Sequence, residues 1–107
     1  MAVNQEILEI TEAIKTVVPA ERIYLFGSHA YGTPNKDSDY DFFVLIPDNG
    51  IKPLDAMMDA RKAIRRANKW MPIDIIADYK SRFEERKNFN TMEKLIANEG
   101  VVLYERT

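Results

Sequence analysis

Residues 25–46, LFGSHAYGTPNKDSDYDFFVLI, set a Gly-Ser pair (Gly27, Ser28) at the end of one apolar run and three aspartates (Asp37, Asp39, Asp41) at the start of another. Carboxylates are hard to bury unpaired. Acids leading into Phe42-Phe43-Val44-Leu45-Ile46 therefore either occupy a surface turn or share their position with something positive. Tyr40 to Ile46 is apolar on both alternating sets of side chains, the pattern of a central strand covered on both faces. Asp39 and Asp41 lead into it two residues apart, so in extended chain they point to one face. At a rise of about 3.3 Å per residue they stand roughly 7 Å apart, close enough to bracket two divalent cations ~4 Å apart. A glycine after a strand lets the backbone turn sharply and approach a ligand. Amides at a helix start, with a serine hydroxyl, form a phosphate cradle. Taken alone, Gly27-Ser28 reads more simply as a strand-to-helix turn capped by Ser28.

Working outward, Val3, Ile7, Ile10, Ile14 and Val17 recur at helical spacing, predicting an amphipathic helix over about 3–18 stopped by Pro19. Arg22 to Phe26 is a short β-prone run, and TPNKDS (33–38) is turn chemistry. Pro53 suits a helix start, and Leu54, Met57, Ile64 and Met71 trace an apolar stripe over a helix at 53–70. Ile73 to Ala77 predicts a third strand, residues 80–88 and 91–99 two helices, and Val101 to Tyr104 a last strand. This order implies an α/β (α+β) fold, a small mixed sheet flanked by helices. The 107 residues are expected to form a single domain over 1–107.

Composition excludes several chemistries. The absence of cysteine removes disulfides and thiolate metal sites, and a single histidine, His29, removes multi-histidine zinc sites. Any metal must be held by oxygen, which points to magnesium, manganese or calcium. A net charge of −2 argues against general nucleic-acid affinity. No apolar run is long enough to span a membrane, and the start lacks the basic region of a signal peptide, so a cytoplasmic location is expected. Thr33 stands where a P-loop needs lysine, and no G-x-G-x-x-G occurs.

Asp74 interrupts the apolar run Ile73-Asp74-Ile75-Ile76. Alone, it reads as a solvent-facing residue on an edge strand. Should that strand lie beside 40–46, Asp39, Asp41 and Asp74 can converge on one face. The joint pattern of Gly-Ser, Asp-x-Asp and a later strand aspartate reads as a nucleotide-phosphate and metal site. Arg61, Lys62, Arg65, Arg66 and Lys69 fall on one side of the 53–70 helix. They read first as a solvated face and second as a docking face for an acidic protein or RNA. Trp70 reads as a core or helix-end packing residue, His29 as a turn residue, and Tyr24, Phe26, Phe42 and Phe43 as core.

Gly27-Ser28, ten residues, then Asp39-Tyr40-Asp41 resembles the G-S-x10-D-x-D motif of the DNA polymerase β-like nucleotidyltransferase superfamily, and the short chain resembles its minimal nucleotidyltransferase (MNT) branch. The resemblance implies a polymerase β palm-like fold and a nucleoside triphosphate, ATP, cradled by Gly27 and Ser28. It implies two Mg²⁺ ions held by Asp39, Asp41 and Asp74, and transfer of AMP to a hydroxyl with release of pyrophosphate. Tyr31 departs from the arginine frequent at that position, which leaves nucleotide preference open. Relatives of this branch are commonly paired with HEPN-type proteins, the MNT partner acting as an antitoxin that adenylylates a toxin tyrosine. Two other functions stay open: transfer to a small molecule such as an antibiotic, which would require a homo-oligomer to build the acceptor pocket, and a catalytically silent antitoxin that acts by binding.

Overall fold

The apolar run from Tyr40 to Ile46 becomes an inner strand of the sheet. In the computed structural model, which describes residues 3–32, 34 and 39–106, Phe42 through Ile46 are all buried. The elements in chain order are α1 (Gln5–Val17), β1 (Arg22–Phe26), α2 (Ser28–Tyr31), β2 (Tyr40–Ile46), α3 (Pro53–Arg66), β3 (Ile73–Tyr79), α4 (Lys80–Arg86), α5 (Met92–Glu99) and β4 (Val101–Glu105). The strands form one mixed sheet in the order β3-β2-β1-β4. β1 is antiparallel to β2 and β4, while β2 and β3 are parallel and joined through α3. The expected turn over 33–38, with Asp37, lies outside the described residues apart from Pro34.

Alternation along the strands sorts the core into two layers. Ile23, Leu25, Phe42, Val44, Ile46, Ile75 and Ala77 meet Ile7, Ile10 and Ile14 of α1 and Ala56, Ala60 and Ile64 of α3. Tyr24, Phe43 and Leu45 meet Phe83 of α4 and Ile96 of α5 on the other face. Three phenylalanine and tyrosine rings interlock there, Phe83 lying 5.5 Å from both Tyr24 and Phe43. α1 begins on Asn4, whose side chain accepts the Ile7 amide at 2.9 Å, and α5 begins on Thr91 in the same way.

Two expectations about the third helix require correction. Its buried face is Ala56, Ala60, Ala63 and Ile64, and Leu54 is instead 64% exposed. Small residues let α3 approach α1 and the sheet closely, a role that a search for large apolar side chains passes over. The helix also ends at Arg66 rather than running to 70. Asn68 takes a left-handed conformation (φ 59°), the Asn68 amide donates to Arg65 O and the Lys69 amide to Ile64 O. This is a Schellman stop with asparagine in the place more often taken by glycine. Beyond it the chain reverses, and Trp70 projects outward at 72% exposure rather than packing at the helix end.

Candidate active site

At one end of the sheet a single row runs across three strands: Phe26 of β1 opposite Asp41 of β2, and Asp41 beside Asp74 of β3. By alternation with Phe43 and Ile76, both carboxylates project from the α4/α5 face. Helices α4 and α5 cover Phe43 and Leu45 further along, and Asp74 is left exposed at the edge strand. The parallel register thus brings together two acids that are 33 residues apart (74 − 41). Asp39 stands immediately before β2 and is half-buried.

The electrostatics of this row are unfavourable. The Asp41 carboxyl is pushed up to about 6 by burial first, then by the charges of Asp74 and Asp39. The charge of His29 works in the opposite direction, and a hydrogen bond with Asp74 adds to the rise. Oxygens gathered at the expense of mutual repulsion are a donor set that a hard divalent cation would relieve. Among the described residues no three or more acid or histidine side chains already close around a single point. The chemistry of the donors nonetheless fits magnesium, with Asp41 and Asp74 as the pair the strands bring face to face.

The Gly27 backbone lies directly against the Asp41 carboxylate. It has φ 76° and ψ −164°, and a Cβ built there would lie 2.0 Å from Asp41 Oδ2. Only glycine holds this conformation without strain, and only glycine leaves room for the carboxylate. Gly27 O accepts the amides of Ala30 and Tyr31, both at 3.0 Å, so the chain rises from beneath Asp41 straight into α2, which Ser28 begins. Gly27, Ser28, Asp39, Asp41 and Asp74 therefore gather at one end of the sheet.

Sequence reasoning missed the support for this arrangement. The His29 ring packs edge-on against Tyr40, centroids 4.5 Å apart. The Tyr40 hydroxyl donates to Glu6 Oε1 at 2.9 Å and accepts from Asn4 Nδ2 at 3.3 Å. The first turn of α1 is thereby tied to the strand that carries Asp41. Nothing local marks this pairing, because its members are more than thirty residues apart. Tyr31 packs on the α1/α3 side of the core with its hydroxyl buried and without a hydrogen-bond partner among the described residues.

The sequence model of the family described as Polymerase beta, Nucleotidyltransferase matches residues 8–107. The chain belongs to this family and is a nucleotidyltransferase by fold and membership. Comparison with curated proteins gives no match. Among solved structures, a putative nucleotidyltransferase from Sulfolobus solfataricus is similar at 21% identity and TM-score 0.65, over 95% of this chain and 79% of that one. A toxin–antitoxin with AMP-PNP is similar at 20% identity and TM-score 0.59, over 97% and 76%. The toxin–antitoxin MntA-HpeT, in a mutant with two Asp-to-Glu changes, is similar at 19% identity and TM-score 0.62, over 98% and 76%. At these identities the likeness is one of fold.

Proposed function

We propose that this chain is an MNT-type antitoxin that transfers AMP from ATP to a hydroxyl of a partner toxin, a HEPN-type protein modified on tyrosine. The observation that carries the reading is the Asp41–Asp74 pair, with Asp41 seated against the Gly27 backbone. Membership of the nucleotidyltransferase family supports the reaction class. The toxin–antitoxin neighbours, one of them with the ATP analogue AMP-PNP, support the nucleotide and the kind of partner.

In this reading Gly27 and Ser28 hold the triphosphate through backbone amides and the serine hydroxyl. Asp39, Asp41 and Asp74 hold Mg²⁺, which supplies charge neutralisation of the triphosphate and acidification of the acceptor hydroxyl. The acceptor oxygen forms a bond to the α-phosphorus as the bond to the β-phosphate oxygen breaks, and pyrophosphate departs. Asp74, the exposed member, is open to an acceptor and would receive the hydroxyl proton. The protein contributes no nucleophile of its own, in keeping with a chain that has one histidine and no cysteine.

The test is ATP labelled at the α-phosphate, with Mg²⁺ and an extract of the native host, comparing wild type with Asp41→Ala. Label on a discrete protein band with wild type alone is the expected result. Label on a small molecule would move the reading to an antibiotic-type enzyme. Partner capture by both forms without any transfer would leave an antitoxin that works by binding.

A further inference from the structure

The outer surface of α3 carries chemistry that the carboxylate row does not use. Leu54, Met58, Arg61 and Arg65 follow one another at steps of four, three and four, forming a continuous ridge of about 17 Å at 1.5 Å per residue. Leu54 is 64% and Met58 49% exposed, one turn apart on the outer side of a helix whose opposite face is well buried, so that they form one apolar surface leading into the arginines. Arg61 and Arg65 are exposed and make no ion pair among the described residues. Lys69, by contrast, is ion-paired with Glu9 of α1.

The basic end of the ridge opens into a groove of about 290 Å³. Its floor includes Ile64, Ile73 and Ile75, and Arg61, Arg65 and Trp70 line it. The Schellman stop at Asn68 is what turns Trp70 out to this groove. Arg61 Nη1 donates to Ile73 O at 3.3 Å, so the ridge is fastened to the residue immediately before Asp74.

We propose that this ridge and groove dock an acidic, amphipathic segment of a partner protein, its apolar residues on Leu54 and Met58 and its carboxylates on Arg61 and Arg65, with a bulky apolar side chain against Trp70. The reading of the site as a nucleotidyltransferase enters only in making this partner the acceptor, brought to the Asp74 edge. Arginine, tryptophan and methionine are the residues enriched at protein interfaces, and unpaired cations beside apolar surface select acidic partners by complementarity. An RNA would use the cations but leave Leu54 and Met58 facing water, and the chain's net charge of −2 would oppose it.

Trp70 is the sole tryptophan, so its emission reports this surface directly. The probe is a synthetic helix-forming peptide of leucine and glutamate, compared with leucine–lysine and serine–glutamate versions and with oligouridylate. The leucine–glutamate peptide should shift Trp70 emission to the blue saturably and bind at least about tenfold more tightly than each of the other three. Arg61→Glu with Arg65→Glu should reverse the preference, losing the glutamate peptide and gaining the lysine peptide, an outcome that a misfolded variant would not give. No binding of the leucine–glutamate peptide, equal binding of oligouridylate or the serine–glutamate peptide, or unchanged affinity after charge reversal would overturn the docking surface.

Label transfer separates this idea from the reaction. The charge-reversed variant should lose at least about tenfold of the label on the acceptor band while retaining ATP affinity by equilibrium dialysis. Undiminished transfer overturns the docking role and leaves the enzyme. Peptide binding by a wild-type protein that transfers nothing overturns the enzyme and leaves the docking surface.

Discussion

The two faces of β3 are built on opposite terms. On one, Asp74 stands beside Asp41, and the sheet holds together charges that repel. On the other, Ile73 and Ile75 floor a groove lined by arginines that reach into water. Solvated cations cost a fold almost nothing, so the arginines alone would say little about function. A half-buried acid held beside a second one does cost stability, and such an arrangement persists where a ligand repays it. The acidic face is thus an argument from energy. The basic face becomes an argument only through Trp70, Leu54 and Met58, whose exposure has no structural return.

The largest effect expected on this contrast is catalytic. Asp41→Asn should lower label transfer on the order of 10³-fold, about 4 kcal/mol in the barrier, while far-UV circular dichroism stays that of the wild type. A fully active variant would remove Asp41 from the site. Next comes Gly27→Ala, which combines a forbidden conformation with a Cβ driven into the Asp41 carboxylate. Urea unfolding should show a loss of roughly 3 kcal/mol. An unchanged midpoint would mean that the turn and Asp41 can separate freely.

The third expectation concerns pH in the absence of magnesium. The Asp41 carboxyl rises from an ordinary 3.8 to about 6 on folding, so the folded chain holds this proton more tightly than the unfolded chain. Its contribution is therefore greatest below pH 4, falls as pH rises towards 6 and is level above that. The loss should be about 1 kcal/mol once solvent screening is allowed for. Asp41→Asn should abolish this slope in thermal melts and be the more stable protein at pH 7 without metal. A wild-type profile that climbs from pH 4 to 6 as far as the variant's would show that neither burial nor the neighbouring acids raise the Asp41 carboxyl. The smallest effect belongs to the other face. Trp70→Ala should change stability by less than about 0.5 kcal/mol, and a loss several times larger would show that the ring serves the fold.

What could be read from the sequence followed what is local. Phe42 to Ile46 is apolar at every position, the pattern of a covered central strand, and the Gly-Ser and Asp-x-Asp spacings are visible as written. The pairing of Asp41 with Asp74 required knowing that β2 and β3 are neighbours in one particular register, a fact set by the α3 crossover and not by either strand. The end of α3 was hidden because the apolar stripe runs on to Met71, whereas Asn68 supplies the stop by adopting a conformation that asparagine merely tolerates. Leu54 misled for the converse reason: large and apolar, it fits a stripe that the alanines occupy.

The contact between Gly27 and the Asp41 carboxylate also bears on how such a chain changes over generations. A side chain at 27 has no room while an aspartate stands at 41; a shorter residue at 41 would relieve the worst of the clash and empty the site, but would leave the strain of a Cβ at φ 76°. The effect of a substitution at either position therefore depends on which residue holds the other, and their mutational costs will not add. Removing the acid lowers the cost of a change at 27 without abolishing it, and once position 27 has acquired a Cβ, restoring the aspartate brings the clash back. Glycine at 27 is thus held in place twice over, by its neighbour and by its own backbone.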